Sequence, residues 1–186
     1  LYSSAASDVY KRQGREGHEL AVVVPPLVAP LIDLMAPEAR VITCPVNTYM
    51  AGLAPGDERL APIAAAARSF QPEVVVAAPW QSTPLEARLL DEFPDARRVG
   101  FKGRQYFDVD RAAPPTWQLA LDEAVEAPVE TPEVRKNQLL AAAIMGKAVR
   151  LPDPKLAVEP EHEALAQAAL EKTGLSAGAY LVACVG

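Results

Sequence analysis

The stretch PEVVVAAPWQSTPLEARLL, residues 72–90, decides the fold of this chain. Its first half, Val74 to Ala78, is almost continuously apolar, which is typical of a strand buried on both faces of a parallel sheet. Its second half contains Thr83-Pro84-Leu85-Glu86, where a cap residue, a proline at the first helical position and a glutamate three residues after the cap predict a helix start. A strand followed at once by a capped helix is half of a βαβ unit.

Strand and helix patterns alternate on both sides of this stretch. The predicted strands are 19–24, 41–43, 98–101 and 179–185, and the predicted helices lie near 27–35 and over 58–69, 131–145 and 160–173. Asp57 is the predicted cap of the 58–69 helix, and Gly146 and Gly174 are the predicted helix ends. Connections too long for hairpins favour right-handed crossovers. The sequence therefore predicts an α/β fold with a Rossmann-like parallel sheet and helices on both faces.

Composition narrows the class of protein. Half of the 186 residues are hydrophobic, enough for one domain with a real core. The net charge of −6 and the scattered Lys and Arg residues argue against a nucleic acid partner. No apolar run reaches the roughly 18 residues of a membrane span, so no transmembrane segment is predicted. Cys44 and Cys184 read as small buried residues, and together these features favour a cytoplasmic protein.

Several chemical motifs are absent. The chain contains no G-x-G-x-x-G, no G-x-x-x-x-G-K-[ST] and no G-x-S-x-G motif. These motifs define the dinucleotide-binding, P-loop and nucleophile-elbow classes, so the sequence argues against all three. His18 and His162 are not at metal-ligand spacing and are interpreted as solvated, so no metal site is assigned. The glutamates at 159, 161 and 163 are interpreted as helix-dipole partners instead of a catalytic cluster.

The candidate ligand-binding residues follow two neighbouring predicted strands. Gln81 and Ser82 come after the 74–78 strand, and Lys102 and Arg104 come after the 98–101 strand. The carboxyl ends of parallel strands meet at the edge where open α/β sheets bind ligands. Charge-assisted hydrogen bonds there could hold an anionic or polyhydroxylated acceptor, while loop packing and solvated surface charge are the alternatives. These four residues are the predicted acceptor-binding site.

The two ends of the chain do not match the pattern between them. Residues 1–13, LYSSAASDVYKRQ, show no periodicity and are similar to the translated read-through of a sequencing adapter, so they are treated as a tail outside the fold. The last predicted strand reaches Gly186, where a strand-to-helix turn should begin. We therefore expect the chain to be a fragment of a larger protein.

Five segments carry a family resemblance. They are PEVVVAA (72–78), QS (81–82), DARRVGF (95–101), ETPEVRKNQLL (130–140) and GAYLV (178–182). In this order and spacing they resemble the N-terminal half of glycosyltransferase family 9, which includes the lipopolysaccharide heptosyltransferases. The resemblance covers residues 14–186.

The resemblance implies a GT-B architecture of two Rossmann-like domains. Residues 14–150 would be the acceptor-side domain without its first strand, and residues 151–186 a linker helix and the first strand of the donor-binding domain. The implied partners are a nucleotide-sugar donor and a glycan or lipid-linked acceptor, and peripheral membrane association is compatible with that acceptor. The implied chemistry is inversion without an essential metal or other cofactor.

The catalytic base of that family is an Asp in a Gly-Asp motif after the first strand, which should precede Glu19. No catalytic residue is therefore assigned, and we expect this chain to be inactive alone and poorly stable without a central strand. A non-catalytic α/β ligand-binding or regulatory domain is an alternative, because a fold does not fix a function. A nucleotide-sugar epimerase of GT-B fold is another, although it would need histidines, of which the chain has two.

Overall fold

The computed structural model describes residues 19–46, 53, 56–103, 118–150 and 158–175. The chain divides into two compact units, Leu1–Pro154 and Lys155–Gly186. The first unit contains β1 (Ala21–Val24), α1 (Ala29–Met35), β2 (Arg40–Thr43), α2 (Ala61–Arg68), β3 (Val74–Ala77), α3 (Pro84–Asp91), β4 (Arg97–Phe101), β5 (Glu123–Val125) and α4 (Glu133–Met145). The second contains α5 (Pro160–Thr173).

All the described strand pairs are parallel. β1 pairs with β2, and separately β3, β4 and β5 pair in that order. Strands and helices alternate along the chain, so the predicted α/β class with parallel strands is confirmed. The predicted strand at 179–185 lies outside the described residues.

The helices of the first unit cover both faces of the strands. α1 packs on Val24 and Val22, whereas α2 packs in the cluster that contains Ala21 and Val23. Successive side chains of a strand point to opposite faces. α1 and α2 therefore lie on opposite faces of β1 and β2, as predicted.

The two remaining helices of this unit cover β3, β4 and β5. α3 shares the core of α2 through Leu85 and Leu89, and the guanidinium of Arg68 lies 2.6 Å from the Glu92 carboxylate at the ends of these helices. α4 packs through Leu140 in a separate core that holds residues of all three strands. The buried members of that core are Val99, Phe101, Ala127 and Leu140.

Burial of the 74–78 strand differs from the prediction. The apolar run predicts burial on both faces, yet the Val76 side chain is 36% exposed. Val76 pairs with Val99 in the register of β3 and β4, so the two side chains point to the same face. α4 covers Val99, and no described helix covers Val76 to the same extent.

Local signals for the helix ends were mostly accurate. Thr83 and Glu86 form the predicted capping box, in which the Thr83 amide donates to Glu86 Oε2 at 2.6 Å. Gly146 and Gly174 end their helices with φ of 63° and 69°. The prediction that Asp57 caps α2 is wrong: the helix begins at Ala61, and the Asp57 carboxylate accepts hydrogen bonds from Arg59 instead.

The second unit contributes one solvated helix among its described residues. α5 buries none of its side chains, and its first turn is closed by a hydrogen bond of 3.0 Å from the Glu159 amide to His162 Nδ1. His162 is therefore a capping residue. His18 lies outside the described residues.

β5 was not predicted, and charged pairs accompany its pairing with β4. Three ion pairs join the two strands and their flanks: Arg97 with Glu123 at 3.6 Å, Arg98 with Asp122 at 2.9 Å and Lys102 with Glu126 at 3.2 Å. The Asp122 carboxylate also accepts a hydrogen bond from the Arg98 backbone amide at 2.8 Å. These contacts match the register in which Val99 pairs with Glu123 and Phe101 with Val125.

Acid should weaken the ion pair between Arg98 and Asp122 in a defined pH range. Hydrogen bonds from the Arg98 side chain and backbone amide lower the pKa of Asp122 from 3.8 to about 2. A carboxylate with a lowered pKa in the folded state stabilises the fold above about pH 4, and that stabilisation is lost as pH falls towards 2. We expect Asp122→Asn to flatten the fall in melting temperature between these pH values. Asp95→Asn removes the same charge from an exposed turn and is the control. An unchanged pH slope in Asp122→Asn would contradict the assignment.

Candidate functional site

The carboxyl ends of β3, β4 and β5 lie side by side, and Trp80 links the exit of β3 to the exit of β5. Trp80 follows β3, and its indole Nε1 donates a hydrogen bond of 3.0 Å to the Ala127 carbonyl, which follows β5. The ring also packs against the core beneath α4. The loop after β3 is thus held at a fixed position over the sheet edge.

Gly103, just after β4, lies against the backbone of Trp80. A Cβ atom at Gly103 would lie 1.9 Å from the Trp80 carbonyl oxygen and 3.2 Å from Trp80 Cδ1. No side chain can be accommodated at such distances without moving the backbone. The absence of a side chain here lets the exits of β3 and β4 approach each other closely.

A buried lysine lies against the Trp80 ring. Lys136 of α4 is only 4% exposed, and its Nζ lies 4.4 Å from the Trp80 ring centroid. The same Nζ donates a hydrogen bond of 2.6 Å to Glu133 Oε1, one turn earlier on the helix. A cation held by a ring face and a carboxylate is compensated in both charge and hydrogen bonding. Lys136 therefore packs against the Trp80 side chain of the loop after β3.

The predicted binding residues divide between surface and interior. Gln81 and Lys102 are exposed at the same sheet edge, as their positions after β3 and β4 predict. Ser82 is 2% exposed, so its hydroxyl lies beneath the surface that the other two present. Arg104 lies outside the described residues.

Lys102 is an accessible cation at this edge. Its side chain is 71% exposed, and its Nζ donates a hydrogen bond of 3.2 Å to Glu126 Oε1. An ion pair this exposed contributes at most about 1 kcal/mol, so an anionic ligand can compete with Glu126 at little cost. The Gln81 amide can both donate to and accept from hydroxyl groups. This edge is suited to binding a polar or anionic molecule.

Beneath this edge, burial changes the ionisation of two groups. Desolvation raises the pKa of Glu86, and hydrogen bonds from Thr83 oppose that effect. Desolvation also raises the pKa of the buried Cys44 thiol. Within the described ranges no group of three or more His, Cys, Asp or Glu side chains is placed to hold a metal ion.

The path of the chain points to the same edge. The crossover from β1 to β2 carries α1 on one face, and the crossover from β2 to β3 carries α2 on the other. In an open sheet with right-handed crossovers, such a change of face accompanies a reversal in the order of the strands. Open α/β sheets bind ligands at the carboxyl ends of the strands where this reversal occurs. Gln81 lies at the exit of β3, the strand that follows the second of these crossovers.

Sequence reasoning missed Lys136 and Gly103. A usable signal for Lys136 was its spacing of three residues from Glu133, which places the pair on one helix face. Gly103 had a weaker signal, namely a glycine directly after a strand end. Neither signal reveals that both residues contact Trp80, because that contact depends on tertiary packing.

The parallel α/β arrangement rests on the strand registers and the helix packing described above. No protein-family model, curated protein or solved structure matches this chain. The resemblance to glycosyltransferase family 9 therefore stays a prediction based on the segments quoted above. In the described parts of the chain, no helix has the length and apolar character needed to cross a bilayer.

Proposed function

We propose that this chain is the acceptor-side part of a glycosyltransferase resembling family 9, with a GT-B architecture. The complete enzyme would transfer a sugar such as heptose from a nucleotide-activated donor to lipopolysaccharide or another glycan. The observation that carries the proposal is the exposed carboxyl edge of β3 and β4, which presents Gln81 and Lys102.

The split of the strands into two groups supports this proposal. β1 and β2 form one pair, and β3, β4 and β5 form another group, all of them parallel. A doubly wound sheet would present these two groups if its central strand were not among the described ones. The family resemblance places the first strand, followed by the catalytic Asp, at that position.

The side chains of the edge suit an acceptor more than a reaction centre. Lys102 supplies a positive charge for a phosphate or sugar carboxylate, and Gln81 supplies an amide for hydroxyl groups. Activation of the attacking hydroxyl needs a general base, which the family resemblance assigns to the segment before Glu19. We therefore expect this chain to bind the acceptor and to leave the transfer to the complete polypeptide.

Acceptor binding can be tested on this chain with a deacylated lipopolysaccharide core oligosaccharide. We expect its titration to shift the backbone amide resonances of Gln81 and Lys102. Lys102→Gln should weaken binding about tenfold, since a hydrogen bond to a charged group contributes roughly 1.5 kcal/mol. Lys147→Gln removes the same charge from an exposed residue just after α4 and should leave the affinity unchanged. The end of α4 lies at the opposite edge of the sheet, because the Ile144 carbonyl accepts a hydrogen bond from Arg97 at the start of β4. Equal affinities of the two variants would contradict the assignment.

The enzymatic part of the proposal needs the complete genomic reading frame. We expect that polypeptide to contain a Gly-Asp turn before the residue equivalent to Glu19 and to transfer heptose to the same oligosaccharide. This chain alone should give no product. A reading frame without that turn, or without transferase activity on any tested nucleotide sugar, would count against the proposal.

A further inference from the structure

We propose that Glu126 is a specificity-determining residue of the edge that presents Gln81 and Lys102. In the free chain its carboxylate is bonded to the Lys102 ammonium, so a bare anion has to displace it, whereas an anion carried by a hydroxylated molecule can bind both charges. The edge therefore selects a sugar that carries an anionic group over the anion alone. This inference rests on the proposed function, because it narrows the ligand of the same site.

The strand pairing places Glu126 beside Lys102. Phe101 pairs with Val125 in the register of β4 and β5, and the Lys102 amide donates a hydrogen bond of 2.8 Å to the Val125 carbonyl. Lys102 and Glu126 are the next residues on these adjacent strands, where opposite charges attract each other across the pair. Their side chains meet with Nζ 3.2 Å from Oε1.

Trp80 holds the backbone next to both members of this pair. Its indole Nε1 donates to the carbonyl of Ala127, the residue after Glu126, and its own carbonyl oxygen lies against Gly103, the residue after Lys102. The backbone is thus held in place, while the two side chains remain 71% and 76% exposed. The Glu126 carboxylate consequently stays close to Lys102 even when a ligand displaces it.

The Lys102–Glu126 pair is easier to open than the two arginine pairs between the same strands. The Arg98 guanidinium donates two hydrogen bonds to the Asp122 carboxylate, and the Arg97 guanidinium is also bonded to the Ile144 carbonyl. Lysine and glutamate are joined instead by one hydrogen bond of 3.2 Å between two exposed groups. Such a pair changes an equilibrium by about fivefold at most.

The charges of the pair disfavour a bare anion. An ammonium and a carboxylate at nearly the same distance cancel most of each other's effect on an approaching charge. A phosphate that replaces Glu126 at Lys102 gains one charge-assisted hydrogen bond while another is broken, and it comes to lie next to a second negative charge. A phosphate without further groups therefore gains little at this edge.

A hydroxylated anion can satisfy both charges at once. An ionised carboxylate only accepts hydrogen bonds, and a sugar hydroxyl can donate them. When the anionic group of a sugar binds Lys102, its neighbouring hydroxyls can donate to Glu126. The exposed Gln81 amide, at the exit of the next strand, can donate to or accept from the remaining hydroxyls. Glu126 thereby favours the ligand that brings donors together with its charge.

Two phosphate monoesters test this selection on this chain. Methyl phosphate supplies the anion alone, glucose 6-phosphate supplies it with hydroxyl groups, and shifts of the Lys102 amide resonance give both affinities. We expect the unaltered chain to prefer glucose 6-phosphate. Glu126→Gln should raise the affinity for methyl phosphate about fivefold. The affinity for glucose 6-phosphate should change less, because the variant also loses the charge-assisted hydrogen bonds to the hydroxyls, so the preference should fall.

Glu123→Gln is the matched control. It removes the same charge from the other end of β5, about 10 Å along the strand, where surface charges are largely screened at physiological salt. Both affinities should stay unchanged in this variant. An unaltered preference in Glu126→Gln, or an equal change in Glu123→Gln, overturns the role of Glu126 and leaves the proposed function standing. If neither ester shifts the Lys102 resonance in any of the three proteins, the assignment of Lys102 to acceptor binding fails as well.

Discussion

Replacing Trp80 with alanine should lower the free energy of unfolding by about 3 kcal/mol, within the range for removal of a packed tryptophan. The change removes the hydrogen bond to the Ala127 carbonyl, the ring face above the Lys136 ammonium and the ring packing beneath α4. It also exposes a lysine that is now almost completely buried. Denaturant titration followed by far-ultraviolet circular dichroism measures the loss.

The phenylalanine variant separates these contributions. Trp80→Phe keeps an aromatic face for Lys136 but loses the indole N–H, so it should cost about 1 kcal/mol, the net value of one hydrogen bond. If both variants cost the same, the ring contributes little and the role assigned to its contact with Lys136 is wrong. A loss below about 1 kcal/mol in Trp80→Ala would show that the loop after β3 is not anchored by this side chain.

Gly103→Ala should also be strongly destabilising, by about 3 kcal/mol, at the upper end of the usual range for overpacking. The new methyl group would lie 1.9 Å from the Trp80 carbonyl oxygen, so the exits of β3 and β4 would have to separate. Thermal unfolding measures the effect. Amide resonances of Gln81 and Lys102 should shift at the same time, because the two loops carry these residues.

Gly146→Ala is the matched control. Gly146 has a φ of 63°, and beyond its own helix and chain neighbours nothing lies within 4 Å of the place that an added methyl group would take. This variant should therefore lose only about 1 kcal/mol, from backbone strain. The obstructing atom at Gly103 belongs to the Trp80 backbone, so truncating the Trp80 side chain should not rescue Gly103→Ala. Equal losses in the two glycine variants, or rescue by Trp80→Ala, would contradict the steric explanation.

Local signals determined what the sequence could predict. The strand at 74–77 and the capped helix after Thr83 were predicted because their hydrogen bonds and apolar pattern lie within a short stretch. β5 was missed because it has only three residues, Glu123 among them, and is defined by its pairing with β4. Asp57 was misjudged because its carboxylate accepts from the Arg59 amide in a turn that precedes the helix, and the helix itself begins only at Ala61.

The candidate site was predictable in position but not in detail. Gln81 and Lys102 were placed at one edge because parallel strands end together, which is a property of topology. The burial of Ser82 and Lys136 was not predictable, since it depends on the direction of a loop side chain and on which face of α4 packs against the sheet. Both depend on contacts between residues far apart in the sequence.

The burial of Lys136 has a practical consequence for handling this chain. Acylating reagents need a free, reachable amine, and the Nζ of Lys136 is covered by the Trp80 ring and bonded to Glu133. The Nζ of Lys102, by contrast, stands in solvent. Attaching the chain to a sensor surface through its amines would therefore consume the cation that we assign to acceptor recognition, so immobilisation through an engineered tag is the sounder choice for binding experiments.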